Sequence, residues 1–383
     1  MSCLFVVSVL LIGYTYIGYP LWLALSRILR PRPIGKSNRE PAVSVVIAVC
    51  NEEKNIARRL HNISSQEYPP HKLEIVVVSD GSTDRTVEMM LQTGIHNLQV
   101  IHFPNNRGKA AALNEGVAGA HGEIIVFTDA RQEFRADAIE KLVANFGDET
   151  VGCVSGELHF LEDPDSKIEA EMGAYWRYEK FIRRNESACG SVVGATGCIY
   201  AIRRKLYRPL PSGTILDDVL TPMNIARMGK RVLFEAQAVA YDIISKNASQ
   251  EWRRKVRTLA GNWQLLSLAP WIMLPWENPF WWRYVSHKLL RLLVPFCMAV
   301  LFVVSLLLSG GFFRLFVAMQ LVFYAIALSG FLLPATRSVR LVNLSYFFMV
   351  LNAAAVAGFW KWATGGCETA WQPAYSDKES DRG

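Results

Sequence analysis

Two carboxylates stand at the ends of predicted buried strands and are the first candidates for chemistry in this chain. Asp80 lies just after the apolar run Ile75–Val78, and Asp129 lies just after the run Ile124–Phe127. Apolar, β-branched runs of this length predict strands that are buried on both faces. Open α/β sheets bind ligands beyond the carboxyl ends of their strands. The two aspartates therefore predict one shared ligand site; the alternative is that each caps the helix that follows it.

A second acidic group and two arginines complete the set of candidates. Asp217-Asp218 is an adjacent pair in a mostly apolar segment, and Arg254 and Arg257 lie in a strongly basic one. One carboxylate of such a set can coordinate a hard divalent cation, which prefers oxygen ligands. The cation and the arginines would neutralise a departing diphosphate. A carboxylate without a metal to hold can take a proton from an attacking hydroxyl. These parts together suit sugar transfer from a nucleotide-sugar.

The elements that must position these groups alternate between strand and helix. Residues 42–158 contain five predicted strands separated by helices, and this alternation predicts a parallel sheet covered on both faces. The first strand is not followed by GxGxxG, so a nicotinamide or flavin cofactor is not expected. Residues 159–250 are less regular. They hold a predicted helix from Asp165 to Arg184, a small-residue stretch from Ser191 to Cys198 and a predicted strand from Val232 to Ala240.

Four apolar runs are long enough to cross a bilayer. Leu4–Leu25 has no charged side chain and is interpreted as an uncleaved anchor, because no cleavage pattern follows it. Three more runs lie near the end of the chain: Leu289–Leu308, Phe312–Leu333 and Leu341–Trp360. Basic residues follow the first run and also lie in the loop 336–340. They predict that the domain after the first run is cytoplasmic, and that the loop 336–340 is cytoplasmic too.

Residues 251–283 combine basic residues with many tryptophans. That composition is typical of amphipathic helices in the membrane interface. The alternative is a basic helix that packs on the domain through its apolar face.

Composition narrows the classes of function. The chain has 383 residues, 51% of them hydrophobic, with a net charge of +7. Its Lys and Arg residues cluster beside apolar segments, which favours anionic lipid headgroups and an anionic substrate over nucleic acid. The seven cysteines form no CxxC pair, which argues against structural zinc and a disulfide framework.

Six motifs occur in an order that is similar to a known family. The chain resembles the processive-type family-two glycosyltransferases, the group of cellulose, chitin, hyaluronan and poly-N-acetylglucosamine synthases. The motifs are Val45–Glu52, Val78–Asp84, Arg107–Asn114, Thr128–Ala130, Asp217-Asp218 and Arg254–Arg257. Membrane segments flank them, as in such synthases.

The resemblance implies a GT-A fold, meaning a Rossmann-like and mostly parallel α/β sheet, together with α-helical transmembrane segments. It also implies inverting transfer from a UDP-sugar with Mg²⁺ or Mn²⁺ as cofactor. On the donor side, Asp80 resembles the aspartate that contacts uridine, and Asp129 resembles the first, metal-binding aspartate of DxD. Arg254 and Arg257 match the polar positions of (Q/R)xxRW, which contacts the diphosphate. Asn51, Glu52 and Lys109 fall in donor-side motifs, although a solvent-facing helix lysine is the alternative for Lys109.

On the acceptor side the resemblance implies a base and a loop. Asp218, with Asp217 beside it, sits where the family has its general base. Four small residues resemble the loop near the acceptor: Gly194, Ala195, Thr196 and Gly197.

Three positions depart from the family pattern. Arg131 replaces the second aspartate of DxD, so a metal would keep one motif carboxylate, or Arg131 would supply part of the cation's charge. The acidic pair is Asp-Asp rather than the commoner Glu-Asp, which shortens one side chain. Thr258 replaces the tryptophan of (Q/R)xxRW, which puts long-chain processivity in question more than catalysis.

These features divide the chain into six parts: an N-terminal membrane anchor (1–30), a linker (31–41), a GT-A domain (42–250), interfacial helices (251–283), C-terminal membrane helices (284–362) and a flexible tail (363–383). The segment 365–371 of the tail faintly resembles the gating segment of such synthases. That role needs a cytoplasmic tail, whereas three full membrane spans after the domain predict an external one.

The resulting hypothesis is an inner-membrane, multi-pass glycosyltransferase that extends a cell-surface polysaccharide. Its partners would be the UDP-sugar, a glycan acceptor, membrane lipids and other polysaccharide-assembly proteins, with no nucleic acid. One alternative is transfer of a single sugar to a polyprenyl phosphate or another lipid-linked acceptor. An alternative of another class is a non-catalytic partner in polysaccharide export.

Overall fold

An eight-stranded sheet forms the centre of the chain in a computed structural model, which describes residues 1–161, 168–243 and 248–366. The strands in chain order are β1 Val43–Val49, β2 Leu73–Asp80, β3 Leu98–Phe103, β4 Ile124–Thr128, β5 Glu133–Phe134, β6 Val151–Leu161, β7 Tyr200–Arg203 and β8 Arg231–Ile243. Their order across the sheet is β3-β2-β1-β4-β7-β6-β8-β5.

The first four strands form a parallel half-sheet, as the alternation of strands and helices predicts. β1 lies in the middle, with β2 on one side and β4 on the other. Ile47 of β1 pairs with Val77 of β2 and with Thr128 of β4. This register brings the ends of β2 and β4 to the same edge of the sheet, on either side of the end of β1. Asp80 and Asp129 therefore flank one strand end.

The second half of the sheet contains two strands, β7 and β5, that run against the others. β7 lies between β4 and β6 and is antiparallel to both. β8 returns parallel to β6, and β5 is antiparallel to β8. The strands predicted in residues 42–158, β1–β4 and β6, all run in the same direction, and the antiparallel β7 comes from the less regular residues 159–250, where no strand was predicted at Tyr200–Arg203. The sheet is mixed and mostly parallel, which confirms the predicted fold class.

Helices cover both faces of the sheet and continue beyond it. Alternate residues of β1 and β2 enter opposite cores: Val46 and Val76 lie in one, Val45 and Val77 in the other. The helices are α1 Ser2–Leu29, α2 Ile56–Ser64, α3 Thr86–Gln92, α4 Lys109–Gly119, α5 Ala138–Val143, α6 Ile168–Ala188, α7 Asp217–Arg227, α8 Ala248–Leu268, α9 Trp281–Leu307, α10 Gly311–Leu332 and α11 Arg340–Ala363.

Four of the described helices are long and apolar enough to cross a membrane: α1, α9, α10 and α11. They correspond to the four predicted apolar runs. α9 begins at Trp281, well before the run that starts at Leu289. Its first turns carry polar side chains, which a hydropathy pattern does not detect, and these face α6.

Helix α8 packs on α11 with one side and on the α/β domain with the other, and the contact with the domain is the one that the packed-helix alternative describes. Trp263 is buried and stacks on Trp362 with ring centroids 5.9 Å apart. A Cβ at Gly358 would lie 2.8 Å from the main-chain nitrogen of Ala260, so the two helices approach closely. An interfacial position for α8 stays a prediction. The gating-like segment 365–371 lies mostly outside the described residues.

The other side of α8 contacts the segment that leads into α7. Gln264 donates to the carbonyl of Gly213 at 2.9 Å and accepts the N–H of Ile215 at 3.1 Å. A Cβ at Gly261 would lie 2.7 Å from Cγ of Leu216. α8 thus fixes the residues immediately before the acidic pair.

We expect Gly261→Val to destabilise the protein, because its side chain would overlap Leu216 and Ile215. Overpacking of this kind costs about 1–3 kcal/mol. Thermal unfolding in detergent should show a lower midpoint than for the parent. Gly35→Val is the matched control, since nothing lies within 4 Å of a Cβ at Gly35. Equal midpoints for the two variants would contradict the proposed contact.

Candidate active site

One ammonium group joins two of the predicted acidic positions. Nζ of Lys109 lies 3.1 Å from Oδ1 of Asp129 and 3.4 Å from Oδ1 of Asp217. Lys109 is the first residue of α4 and follows Gly108, whose φ of 89° is in the left-handed region. Burial alone would lower the pKa of Lys109, but the charges of the surrounding aspartates outweigh it and raise that pKa. The solvent-facing alternative for Lys109 was wrong.

The acidic pair begins helix α7, where the helix dipole favours negative charge. Asp217 is buried, and its Oδ2 has no hydrogen-bond partner among the described residues. Asp218 is partly exposed. Burial and the charge of Asp217 raise the pKa of Asp218 to about 6, while Lys109 and Lys288 oppose that shift. Asp218 can therefore exchange a proton near neutral pH.

The small-residue loop predicted on the acceptor side lies against Asp218. The N–H of Ala195 donates to the carbonyl oxygen of Asp218 at 2.7 Å. A Cβ at Gly197 would lie 3.0 Å from Oδ2 of Asp218, so a larger residue would crowd the carboxylate. Gly194 has a φ of 86°, which favours glycine. Thr196 completes the loop and accepts a hydrogen bond from Arg183 at 2.7 Å.

The start of helix α9 holds the segment before this loop. Arg283 donates to the carbonyl oxygens of Ser191 at 2.6 Å and Cys189 at 3.0 Å. Glu186 of α6 accepts the N–H of Val193 at 3.4 Å. The loop beside Asp218 therefore depends on a helix that is apolar enough to cross a membrane.

Asp80 anchors the turn that presents Lys109. Its side chain is fully buried, and its two oxygens accept the N–H groups of Arg107 at 2.6 Å and Gly108 at 2.8 Å. Gly81 has a φ of 67°, and a Cβ there would lie 2.4 Å from the nitrogen of Asn106. The close approach and the two hydrogen bonds fix this turn; contact of Asp80 with a uridine base stays a prediction.

Asn51 and Glu52 tie the end of β1 to the turn after β2. Asn51 has a φ of 56°, and its Oδ1 accepts the N–H of Thr83 at 2.8 Å. The N–H of Glu52 donates to Thr86 at 2.8 Å. Burial raises the pKa of Glu52, and the charge of Asp129 adds to that shift. Both residues thus lie at the sheet edge that holds Asp129.

Arg131, the residue at the second DxD position, is paired with another strand. Its guanidinium bonds to Asp242 of β8, whose side chain is fully buried. Gln132 donates to the same carboxylate at 2.9 Å. Asp242 therefore takes up at least part of the charge that Arg131 could otherwise offer in place of a cation.

Asp129 is the one carboxylate of the DxD-like motif that could coordinate a divalent cation. The described part of the chain contains no cluster of three or more His, Cys, Asp or Glu side chains placed to hold a metal. The carboxylate of Asp129 is about one-third exposed, at 35%. Mg²⁺ is often held by one or two carboxylates with phosphates and water as its other ligands. The residues present fit a cation that binds together with a phosphate-bearing donor.

Arg254 and Arg257 lie outside this cluster. Both side chains are exposed on α8, and Nη1 of Arg254 lies 3.9 Å from Oε2 of Glu251. Within the described ranges, neither arginine forms a hydrogen bond or ion pair with Lys109 or the aspartates. Burial raises the pKa of Cys198 at the end of the small-residue loop, and the charge of Arg254 opposes that shift. Their predicted diphosphate contact stays a prediction.

Sequence reasoning missed Arg59, which supports the end of β4. Arg59 is buried, donates to Oγ1 of Thr128 at 2.5 Å and lies over the ring of Phe134 at 4.1 Å. Burial lowers the pKa of Arg59 to about 9. Its place on the apolar face of α2, next to Leu60, is the signal that could have identified it.

We expect Arg131→Asp to destabilise the protein rather than to rebuild a working metal site. It would remove a cationic partner of the buried Asp242 and add a like charge; breaking such a pair costs about 3–5 kcal/mol. Thermal unfolding measures the effect. Arg58→Asp is the control, because Arg58 is half exposed and its partner Glu133, 2.9 Å away, is also accessible. A stable Arg131→Asp protein would show that this ion pair is unimportant.

Part of this chain, including Asp80, Lys109 and Asp129, is similar to a known family. Residues 44–210 match the family model described as glycosyl transferase family 2. Poly-beta-1,6-N-acetyl-D-glucosamine synthase of Staphylococcus epidermidis is 23% identical over 234 residues, which are 60% of this chain and 56% of the relative. The same enzyme of Staphylococcus aureus strain COL is 24% identical over 242 residues, or 60% and 58% of the two chains. The chain thus matches little more than half the length of these relatives.

A solved structure shares the fold over nearly the whole chain. Mannosyltransferase PcManGT from Pyrobaculum calidifontis, in complex with GDP-Man and Mn²⁺, superposes with a TM-score of 0.69 at 23% identity. The match covers 94% of this chain and 99% of the other. The mixed, mostly parallel sheet and the structural match show a GT-A fold, residues 44–210 are similar to glycosyl transferase family 2, and the chain also contains helices long and apolar enough to cross a membrane.

Proposed function

We propose that this protein is a membrane-bound inverting glycosyltransferase that moves a sugar from a UDP-sugar to an acceptor hydroxyl. The observation that carries the proposal is the position of Asp218. This carboxylate has a raised pKa and lies against the small-residue loop. It is also adjacent in sequence to Asp217, which contacts Lys109. Such a transfer requires a base for the acceptor hydroxyl, space for the acceptor beside that base, and positive charge near the diphosphate of the donor.

The donor side is proposed to be the sheet edge that holds Asp129, Lys109 and Glu52. Lys109 offers a fixed positive charge for a diphosphate. We infer uridine as the base from the resemblance of the motif Val78–Asp84 to that of the synthases. The structural relative holds GDP-Man, so the identity of the base needs a direct test.

Asp129 is the residue proposed to hold Mg²⁺ or Mn²⁺, in line with the metal complex of the structural relative. When bound, the cation would neutralise charge on the diphosphate. Arg254 and Arg257 are proposed to add to that neutralisation from α8.

In the proposed reaction, Asp218 accepts the proton of the acceptor hydroxyl. The oxygen attacks the anomeric carbon on the face opposite the diphosphate, a bond forms between them, and the bond to the diphosphate breaks. Asp217 keeps the pKa of Asp218 raised, and Gly197 leaves room beside the carboxylate. No covalent enzyme intermediate is needed.

We infer that the acceptor is a glycan of the cell surface, because the matched relatives are poly-beta-1,6-N-acetyl-D-glucosamine synthases. A second candidate is single-sugar transfer to a lipid-linked acceptor, which the missing motif tryptophan at Thr258 favours. In either case we propose that the α/β domain is cytoplasmic, because basic residues follow α1 and lie between α10 and α11.

We expect kcat/KM for transfer to fall tenfold for each pH unit below about 6, because a protonated Asp218 cannot accept a proton. Asp217→Asn should move this midpoint to lower pH, since the charge of Asp217 raises the pKa of Asp218. The measurement is the pH dependence of kcat/KM for both proteins. A midpoint that does not respond to Asp217→Asn would disprove the assigned coupling.

Purified membranes should transfer label from one of a panel of UDP- and GDP-sugars in the presence of Mg²⁺ or Mn²⁺. Asp218→Asn should lower kcat by about 10²–10⁴, the usual contribution of a general base. Glu140→Gln is the control, since Glu140 is half exposed on α5. Unchanged product from Asp218→Asn would remove the proposed base. A wild-type protein without turnover on any donor would favour the non-catalytic alternative.

A further inference from the structure

Two cationic side chains lie together on the part of α9 that faces α6. Lys288 and Arg291 are three residues apart, so they share one side of the helix. We refer to them as the cationic pair. α9 begins with Trp281 and Trp282, and tryptophans are enriched at the level of lipid headgroups. The pair lies two to three turns further along the helix.

Several N–H donors of the cationic pair form no hydrogen bond or ion pair with the residues that the structure describes. Arg291 donates through Nη1 to Glu179 at 2.8 Å, and its guanidinium lies 5.5 Å from the ring centroid of Tyr178, but its buried Nε and Nη2 form no hydrogen bond within the residues that the structure describes. Lys288 forms no ion pair with any residue that the structure describes. The charged groups that act on it are Glu179, Arg291, Arg183 and Asp218.

The nearby carboxylates are already engaged. Glu179 and Glu186 both bind His287, at Nε2 and Nδ1 respectively, with distances of 2.9 Å. Glu186 also accepts the hydroxyl of Tyr19 at 2.5 Å. The cluster therefore holds an excess of donors and positive charge. Leaving buried donors unpaired is costly, and more so in a segment that crosses a membrane.

A continuous set of contacts leads from the pair to the proposed base. Arg183 follows Glu179 by one turn of α6 and donates to Thr196 at 2.7 Å. Thr196 precedes Gly197, which lies against the carboxylate of Asp218. An anionic group at the pair would thus lie beside Glu179, one turn of α6 away from the arginine that contacts this loop.

We propose that Lys288 and Arg291 bind the phosphate of a membrane-embedded acceptor lipid, whose reactive group reaches Asp218. Basic side chains between membrane helices commonly hold lipid phosphates. The inference rests on the proposed sugar transfer and selects the second of its two acceptor candidates, the lipid-linked one. Two lipids carry the required phosphate: a polyprenyl monophosphate and a polyprenyl diphosphate that bears a sugar.

For the sugar-bearing lipid, the acceptor hydroxyl loses its proton to Asp218 as its oxygen bonds to the anomeric carbon, and the nucleoside diphosphate leaves. For the monophosphate, an ionised phosphate oxygen bonds to the anomeric carbon as the nucleoside diphosphate leaves, and Asp218 takes up no proton. The pH profile and the Asp218→Asn variant therefore separate the two sources: only the sugar-bearing lipid requires the base.

The test compares acceptors in phosphatidylcholine nanodiscs that contain the full chain. The probes are polyprenyl monophosphate, a polyprenyl diphosphate-linked sugar and an alkyl glycoside of the same sugar without phosphate. For Lys288→Gln, we expect the ratio of kcat/KM on the better phosphate lipid to that on the neutral glycoside to fall at least tenfold. Lys288→Arg should restore most of it. Arg340→Gln, at an exposed position at the start of α11, should leave the ratio unchanged.

Binding measured without a donor separates this inference from the proposed function. Native mass spectrometry should detect the phosphate lipid on the wild-type protein and much less of it on Lys288→Gln. Binding without turnover on any donor would uphold the lipid site and overturn the proposed function. Turnover with no preference for phosphate lipids, or a ratio unaffected by Lys288→Gln, would overturn the lipid site and leave the proposed function standing.

Discussion

The ion contact of Lys109 with Asp129 and Asp217 is the constraint on which the geometry of the site depends. It joins the end of β4 to the start of α7, two elements that are far apart in the chain. Because the ammonium is largely buried, neither carboxylate could be left without it at low cost. The turn before Lys109 is in turn held by Asp80, through two main-chain hydrogen bonds. A buried aspartate thus fixes a lysine, and the lysine fixes the relative position of two further aspartates.

The parts of this arrangement that follow from local pattern could be predicted. Buried β-branched runs that end in aspartate imply that Asp80 and Asp129 share one edge of a parallel sheet, and the register of β1 with its neighbours confirms this. The small-residue loop and Asp218 were assigned to the acceptor side by resemblance, and the two lie in contact. Apolar runs of sufficient length identified the four long helices.

Long-range pairing could not be predicted. Nothing near Arg131 in the chain indicates that its partner is Asp242, more than a hundred residues later. Tyr200–Arg203 is too short to identify as a strand, yet it separates β4 from β6 and pairs antiparallel with both. The polar first turns of α9 interrupt its hydropathy because they bind α6 instead of lipid. In each case, the partner determines the role of the residue and the sequence around it does not.

Arg283 of α9 donates hydrogen bonds to the carbonyl groups of Ser191 and Cys189. The structure of the α/β domain therefore depends in part on a helix outside it. A version shortened to residues 42–250, made to obtain a soluble enzyme, would keep every aspartate discussed above. It would lose the helix that holds the chain before Gly194, together with the contacts of α8 on Leu216. Such a fragment would retain the sheet but leave Asp218 beside a loop without its supports, so solubility and intact surroundings of Asp218 are competing goals in this architecture.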